Sequence, residues 1–478
     1  MTDLKVWAWG GCVALVLGTT LSLAPTPATT LVLVLALVLA LLAMRVNRRN
    51  CSNRIHTLPY APELVLLPLA VSIRQSSYIA VGLVGLAALF AFMRRGKGKV
   101  ATGPMILVLL AAALALRTAP LGQLALVAVF LAFLYFSTQK NETSEAVASL
   151  MLGVVLYIWA NIGGWLVGIQ SVAVGVKLSG FESSSSIFSE RVIWPFARSI
   201  NEAPIVTATF IAYVAASFVT GRRVTQWEWV GVIGGGVILL GSNSRAPLAV
   251  VAVVLAIAVV SPRMLRSNLL LGSVLACAVP FYLGWLQWAV RPVAEILVRL
   301  PYLARTQTAE ELAGFSTRGE IWSRSLEWWS SRADLFEHLF GFGQNGHATS
   351  GAVYTYFGSF GGFLSKPEAL TTHNSALQVM FDSGYIGLIA FATGIAWGLR
   401  RYMKSADISS IAALAALTLT SAVEVSLAPG ATSTPFFLLL ALLAFSELRP
   451  SESKRSLPSP RVGRRRTAQD RAPQDLSG

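Results

Sequence analysis

The run Leu248-Ala-Val-Val-Ala-Val-Val-Leu-Ala-Ile-Ala-Val-Val260 decides the fold, because it contains no polar or charged side chain. Two further runs, Leu31–Met44 and Phe436–Phe445, are equally apolar. Each run sits in a window of about 16 to 22 mostly apolar residues, which as a helix is roughly long enough to cross a bilayer. The sequence therefore predicts an integral membrane protein.

The composition agrees with a lipid environment. Of the 478 residues, 54% are hydrophobic and only 13% are charged, whereas a soluble globular protein has about 25% charged residues. We expect an all-α integral membrane protein of about 12–14 transmembrane helices, with one large external loop that contains short helices. The spans are predicted near residues 6–24, 28–44, 60–73, 76–93, 102–117, 120–137, 146–168, 204–220, 227–241, 246–261, 268–289, 374–398, 407–427 and 433–447.

The basic residues predict the orientation of these spans. The net charge is +15, and most bases lie in short loops between apolar runs. All the basic clusters fall on one side, which the positive-inside rule makes cytoplasmic. We therefore expect a multi-pass protein of the cytoplasmic (inner) membrane with both termini in the cytoplasm. The clusters are Arg45, Arg48, Arg49 and Arg54; Arg94, Arg95, Lys97 and Lys99; Lys140; Arg222 and Arg223; Arg263 and Arg266; Arg400, Arg401 and Lys404; and seven bases after Pro450.

This topology divides the chain into five segments. Residues 293–340, in the large loop, are rich in helix formers and predict helices against the membrane surface, whereas residues 341–362 predict a flexible loop. The first span is alternatively a cleaved signal sequence. The segments are N-terminal transmembrane helices (1–145), central transmembrane helices with an external loop at 168–203 (146–290), a large external loop (291–373), C-terminal transmembrane helices (374–448) and a basic, disordered cytoplasmic tail (449–478).

The sequence does not predict nucleic-acid binding, a disulfide framework or a metal site. Nucleic-acid binding is disfavoured, because no basic face alternates with aromatic stacking residues. The three cysteines, Cys12, Cys51 and Cys277, lie outside the large loop, so no disulfide framework is predicted there. No cluster of Cys and His has the spacing of metal ligands. We expect no metal site and no cofactor.

Three arginines are candidate ligands for a phosphate group. Arg191, Arg245 and Arg318 all fall on the external side of the predicted topology. The planar guanidinium donates bidentate hydrogen bonds and stays charged at any working pH. If the three converge, they form a pyrophosphate site at the outer leaflet. The alternative is that each arginine snorkels or pairs with a nearby carboxylate.

The segment His373-Asn-Ser-Ala-Leu-Gln378 opens a predicted span and supplies three further candidates. A histidine can accept a proton at neutral pH, but His373 can equally pack or form a hydrogen bond only. Asn374 is either a helix cap or a ligand. Gln378 lies about one turn further along the same face and binds either a sugar or a neighbouring helix.

Aromatic and acidic residues complete the candidates. Trp322 is a possible sugar-stacking residue, although aromatic residues near a membrane more often serve as core or interfacial anchors. Asp382 and Glu424 lie within predicted spans, where buried carboxylates are costly and mark a path or a partner. For Glu424, near the external end of its span, an interfacial position is the alternative.

These residues resemble the O-antigen ligase and O-antigen polymerase family of bacterial surface polysaccharide assembly. The resemblance covers roughly residues 190–400, and it rests on the order, spacing and membrane side of short motifs. The motifs are Arg191 with Asn201, Ser244-Arg245, Arg318 with Trp322, Gly341-Phe-Gly343, and His373-Asn374 with Leu377, Gly384 and Gly387.

The resemblance implies a glycosyl transfer outside the cytoplasmic membrane. The partners it implies are an undecaprenyl-pyrophosphate-linked glycan donor, a glycan or lipid acceptor and the lipid bilayer. Arg191, Arg245 and Arg318 would hold the pyrophosphate, and His373 would activate the acceptor hydroxyl, without a metal. Whether the enzyme is a ligase or a polymerase stays open. The rival classes are a transporter or flippase of lipid-linked sugars, disfavoured because no internal repeat is seen, and a non-catalytic partner of an envelope complex.

Overall fold

 The computed structural model is a helical bundle over the residues that it describes. The structure describes residues 62–72, 103–138, 143–169, 192–242, 244–260, 318–358, 370–405 and 408–448. It also describes isolated positions between 84 and 88 and between 267 and 310.

Several predictions fall on other residues. Arg191, the first two predicted spans, the basic tail at 449–478 and all but two positions of the span at 268–289 lie outside the described residues.

The described residues form helices joined by turns. Their bounds are α1 Pro62–Ser72, α2 Gly103–Ala115 with a 3-10 turn at Leu116–Thr118, α3 Leu121–Thr138, α4 Thr143–Leu166, α5 Glu202–Val219, α6 Gln226–Ser242, α7 Arg245–Val260, α8 Arg318–Arg332, α9 Leu335–Phe340, α10 Gly346–Thr349, α11 Tyr354–Phe357, α12 Ser375–Ser405, α13 Ile408–Thr420, a 3-10 turn at Pro429–Ala431 and α14 Thr434–Phe445.

The helix lengths confirm an all-α membrane protein. Among the described residues, four helices are long and apolar enough to cross a membrane: α3, α4, α5 and most of α12. Shorter apolar helices, including α2, α13 and α14, pack among them. Every residue of α14 is buried, which explains why the sequence Phe436–Phe445 has no polar face.

The connections between helices gather at two ends of the bundle. At one end, here called the site end, lie residues 116–120, 192–201, 242, 244–245, 318–358, 370–375 and 421–434. Across it, Arg117 donates to the carbonyl of Phe340 at 2.8 Å, and Ser244 donates to Asn201 at 3.1 Å.

The opposite end comprises residues 103, 138, 143, 217–226, 400–405, 408–410 and 445–448. There the backbone N–H of Gly103 donates to Glu447 at 3.2 Å, and the Thr143 hydroxyl donates to the carbonyl of Leu448 at 3.0 Å. Helices α2 to α6 and α12 to α14 therefore run alternately between the same two ends.

The segment α8–α11 covers the site end. A capping box starts α9, in which Asp334 and Glu337 exchange side-chain and backbone hydrogen bonds. The chain then crosses α12 at Gly384, where φ is +67°. An added Cβ there would lie 2.3 Å from the carbonyl carbon of Leu339, so only glycine permits this close crossing.

Two sequence predictions are corrected here. Residues 341–358, predicted as a flexible loop, instead contain α10 and α11 and are held to α12 by backbone hydrogen bonds, including Phe342 N–H to the Phe381 carbonyl at 2.7 Å. The span predicted at 407–427 ends as a helix at Thr420. Carbonyl groups beyond that point instead accept hydrogen bonds from the start of α12, as Ser421 does from the Ser375 N–H.

Candidate functional site

An ion pair joins two distant parts of the chain at the site end. Arg318 is the first residue of α8, and Glu424 lies in the turn that follows α13. The Arg318 Nη2 donates to Glu424 Oε1 at 2.8 Å. The arginine side chain is 29% exposed to solvent, whereas the glutamate side chain is 10% exposed. The guanidinium is therefore fixed by a buried carboxylate and still reaches solvent.

His373 faces the same carboxylate. Its Nδ1 lies 3.8 Å from Glu424 Oε2, and its side chain is 30% exposed. The residue has a φ of +50°, a left-handed conformation that is uncommon for a residue other than glycine. Such an outlier persists only when its surroundings hold it in place, and it often marks a functional position.

The neighbours of His373 supply that support. Asn374 caps α12, because its Oδ1 accepts from the Leu377 N–H at 2.8 Å, and its amide donates to the carbonyl of Ala422 at 2.9 Å. On the other side, the indole N–H of Trp322 donates to the carbonyl of Thr372 at 2.8 Å. Both flanking residues of the histidine are thus fixed.

Asn201 and Ser244 extend the cluster towards α7. The Asn201 amide donates to Glu424 Oε1 at 2.7 Å, and its Oδ1 accepts from the Ser244 hydroxyl. Arg245 follows directly as the first residue of α7 and is half-buried. The connection before α7 therefore reaches the same carboxylate as Arg318.

The charge of Glu424 follows from these contacts. Burial by itself would raise the pKa of its carboxyl group, but the neighbouring His373, Arg318 and Asn201 lower the pKa to about 2. Glu424 is therefore an anion at neutral pH, held between a guanidinium and an imidazole.

A second pair of charged residues fixes the turn after Glu424. Arg198 Nη1 donates to the carbonyl of Ala431 at 2.6 Å, and Glu202 Oε1 accepts from the Thr434 N–H at 3.0 Å. The hydroxyl of Ser375 donates to the carbonyl of Glu424 itself at 2.6 Å. The carboxylate thus projects from a backbone that is bonded on both sides.

Gln378 and Asp382 bind each other. The Gln378 amide donates to Asp382 Oδ1 at 2.8 Å, and the same oxygen accepts from the Gly346 N–H at 2.7 Å. Both side chains are buried. The buried carboxylate predicted to have a partner therefore has one, and it ties α10 to α12.

The predicted candidates differ in how they are placed. The structure brings Arg318 and His373 together, and Arg245 opens the helix next to them. Asn374 acts as a helix cap, and Trp322 is completely buried, so its indole supports the loop before His373. Gln378 lies inside the protein against Asp382. Arg191 lies outside the described residues.

Arg117 is a site-end residue that the sequence analysis did not single out. Its guanidinium donates to the carbonyls of Phe340 and Gly341 and thereby fixes the segment that crosses α12. The available signal was a single arginine between two apolar runs, which is costly near a membrane unless it has a partner.

No potential metal cluster is found in this part of the chain. Over the described ranges, no three His, Cys, Asp or Glu residues lie close enough together to hold a metal ion. Arg318 and His373 instead converge on the single carboxylate of Glu424.

Comparison with known proteins identifies the central part of the chain. Residues 230–392 match the O-antigen ligase family (Wzy_C). The matched region includes Ser244, Arg245, Arg318 and His373, whereas Asn201 and Glu424 lie on either side of it. No curated protein and no solved structure matched the chain. The resemblance to the O-antigen ligase and polymerase family is therefore confirmed over residues 230–392, which are similar to its O-antigen ligase domain.

Proposed function

We propose that this protein transfers a glycan from undecaprenyl pyrophosphate to an acceptor hydroxyl on the external face of the cytoplasmic membrane. The observation that carries the proposal is the pairing of Arg318 and His373 around one carboxylate, at a partly exposed position. An anion-binding group and a proton acceptor are what glycosyl transfer from a pyrophosphate needs.

Arg318 would bind the pyrophosphate of the donor. When the bond between the anomeric carbon and the pyrophosphate oxygen breaks, both electrons go to that oxygen. A fixed guanidinium stabilises the charge that develops there. The half-buried Arg245 is well placed to contribute, because it follows Ser244, which is bonded to the same cluster. Cationic side chains would thus stabilise the leaving pyrophosphate without a metal ion.

His373 would accept the proton of the attacking hydroxyl. The acceptor oxygen forms the new bond to the anomeric carbon while its proton passes to the imidazole. Attack from the side opposite the leaving group inverts the anomeric carbon. The exposed fraction of the ring leaves one of its edges open to an acceptor.

The distribution of bases supports an external site. Arg222, Arg400, Arg401 and Lys404 lie at the opposite end of the helices. The positive-inside rule assigns that end to the cytoplasm. The site end would then face outwards, where the lipid carrier presents its head group at the outer leaflet.

The test is transfer by the purified full-length protein in lipid nanodiscs. The donor is an undecaprenyl-pyrophosphate-linked oligosaccharide. The acceptor is either a second molecule of the donor, for a polymerase, or lipopolysaccharide core, for a ligase. We expect release of undecaprenyl pyrophosphate with one of the two acceptors.

The matched variants are Arg318→Ala and Arg324→Ala, both in α8. Arg324 lies 3.8 Å from Glu327 in an exposed pair, so its loss should change little. Loss of Arg318 should lower kcat by about 10²- to 10³-fold, the usual effect of removing one transition-state donor. Full activity of the Arg318→Ala variant would contradict the proposal.

A further inference from the structure

The carboxylate of Glu424 is the common partner of the residues proposed for transfer. One oxygen, Oε1, accepts from both Arg318 and Asn201, at 2.8 and 2.7 Å. Two donors from different helices fix that oxygen. The other oxygen, Oε2, is then directed towards Nδ1 of His373.

We propose that Glu424 is a positioning residue for glycan transfer, which holds Arg318 in place and stabilises the positive charge that His373 gains as it accepts the proton. The inference rests on the proposed function and deepens it. Glu424 lies outside the region that matches the family, so the match does not assign it a role.

The geometry explains how one carboxylate serves both groups. The distance of 3.8 Å from Oε2 to Nδ1 exceeds the usual hydrogen-bond range. A small rotation of the imidazole would close it when the ring gains a proton. The negative charge is then nearest to the histidine at the moment when that histidine becomes positive.

The proton follows a balanced path. It leaves the acceptor hydroxyl and binds Nε2 of His373, while Nδ1–H faces Glu424. The electrons of the broken carbon–oxygen bond remain on the pyrophosphate, and the histidine later returns its proton to solvent. Glu424 stays ionised throughout and does not touch the substrate.

The surroundings keep the carboxylate in this position. Its own carbonyl accepts from Ser375, the second residue after His373. The same Ser375 hydroxyl accepts from the Leu427 N–H at 3.1 Å. The turn that carries Glu424 and the loop that carries His373 are therefore one bonded unit.

The closing experiment compares Glu424→Gln with Glu424→Asp in the nanodisc assay described above. The control is Glu447→Gln, since Glu447 is also a poorly exposed carboxylate beside an arginine, 3.6 Å from Arg401, but at the opposite end. Thermal unfolding of each purified variant verifies folding.

We expect Glu424→Gln to lower kcat by about 10- to 100-fold. The pH of half-maximal kcat on the acid side should fall by about one unit, because the imidazolium loses a neighbouring negative charge. Glu424→Asp should restore the wild-type pH profile and part of kcat. Glu447→Gln should keep both the rate and the profile.

Two results would overturn the inference: a Glu424→Gln variant with the wild-type rate and pH profile, or a rate loss with an unchanged profile. A wild-type protein without transfer activity would instead refute the proposed function. The two failures are therefore distinguishable.

Discussion

At the scale of single residues, the backbone of His373 is the clearest sign of function. A left-handed φ at a histidine costs free energy that the flanking contacts of Trp322 and Asn374 must offset. The ring is partly exposed, so these contacts fix its position without burying it.

Replacement of His373 by asparagine should separate stability from activity. Asparagine tolerates the left-handed conformation better than most residues, so the variant should unfold at the wild-type temperature. Its kcat should fall by about 10²- to 10⁴-fold through loss of the proton acceptor. Thermal unfolding and the transfer assay measure the two effects, and an active variant would exclude His373 as the base.

The sequence selected the arginines and the histidine of the candidate site but not the carboxylate that joins Arg318 and His373. Arginine and histidine could be selected by chemistry and predicted membrane side. Asn201 and Glu424, however, lie 223 positions apart, and only the packing of α5 against α13 brings them together. Glu424 was noted as a costly carboxylate in a span, without its partners.

At the scale of elements, the crossing of α9 over α12 positions the whole segment above the site. It depends on Gly384, whose positive φ and close approach to Leu339 exclude a side chain. The same crossing makes Gly343 N–H available to the carbonyl of Asp382 at 3.0 Å.

Gly384→Ala should therefore destabilise the protein by about 2 kcal/mol or more, from the conformational cost and the displaced backbone together. The matched control is Gly236→Ala in α6, where an added Cβ meets no atom within 4 Å. That change should be neutral or stabilising by about 0.5–1 kcal/mol. Thermal unfolding of both variants measures the difference, and equal effects would contradict the crossing.

His347 makes the stability of this segment depend on pH. It is buried in α10, and its Nε2–H donates to the carbonyl of Leu370. Burial lowers the pKa of His347 from 6.5 to about 4. His347 therefore binds a proton below about pH 6.5 in the unfolded chain, but only below about pH 4 in the folded chain.

Stability should fall by about 2 kcal/mol as the pH drops from 6.5 to 4.5. Glu424 does not contribute in this range, since its lowered pKa keeps its stabilising effect intact above pH 4.5. His347→Gln, which retains an amide donor, should reduce this pH dependence. Thermal unfolding across the range measures it, and an equally steep curve for the variant would assign the effect elsewhere.

At the scale of the whole molecule, helical content and most described span positions followed from hydrophobic runs. The predicted span at 120–137, for example, corresponds to α3 at Leu121–Thr138. The end of α13 and the folded segment at 341–358 could not be predicted from hydrophobic runs. Both depend on hydrogen bonds to α12 that periodicity cannot reveal.

The alternation of helix ends makes orientation a single question for the bundle. Hydrogen bonds join the connections of each end to one another, so one end cannot be reversed without the other. Thr349 at the site end and Arg400 at the opposite end are both exposed. They are suitable positions for a test of membrane side.

In a chain whose three native cysteines are replaced by serine, Thr349→Cys should react with a membrane-impermeant maleimide in right-side-out vesicles. Arg400→Cys should react only after permeabilisation, because the positive-inside rule predicts from the bases around it that this end lies in the cytoplasm. Inside-out vesicles provide the control and should reverse the pattern. Labelling of Arg400→Cys from outside would place Arg318 and His373 on the cytoplasmic side, where the external transfer proposed here could not take place.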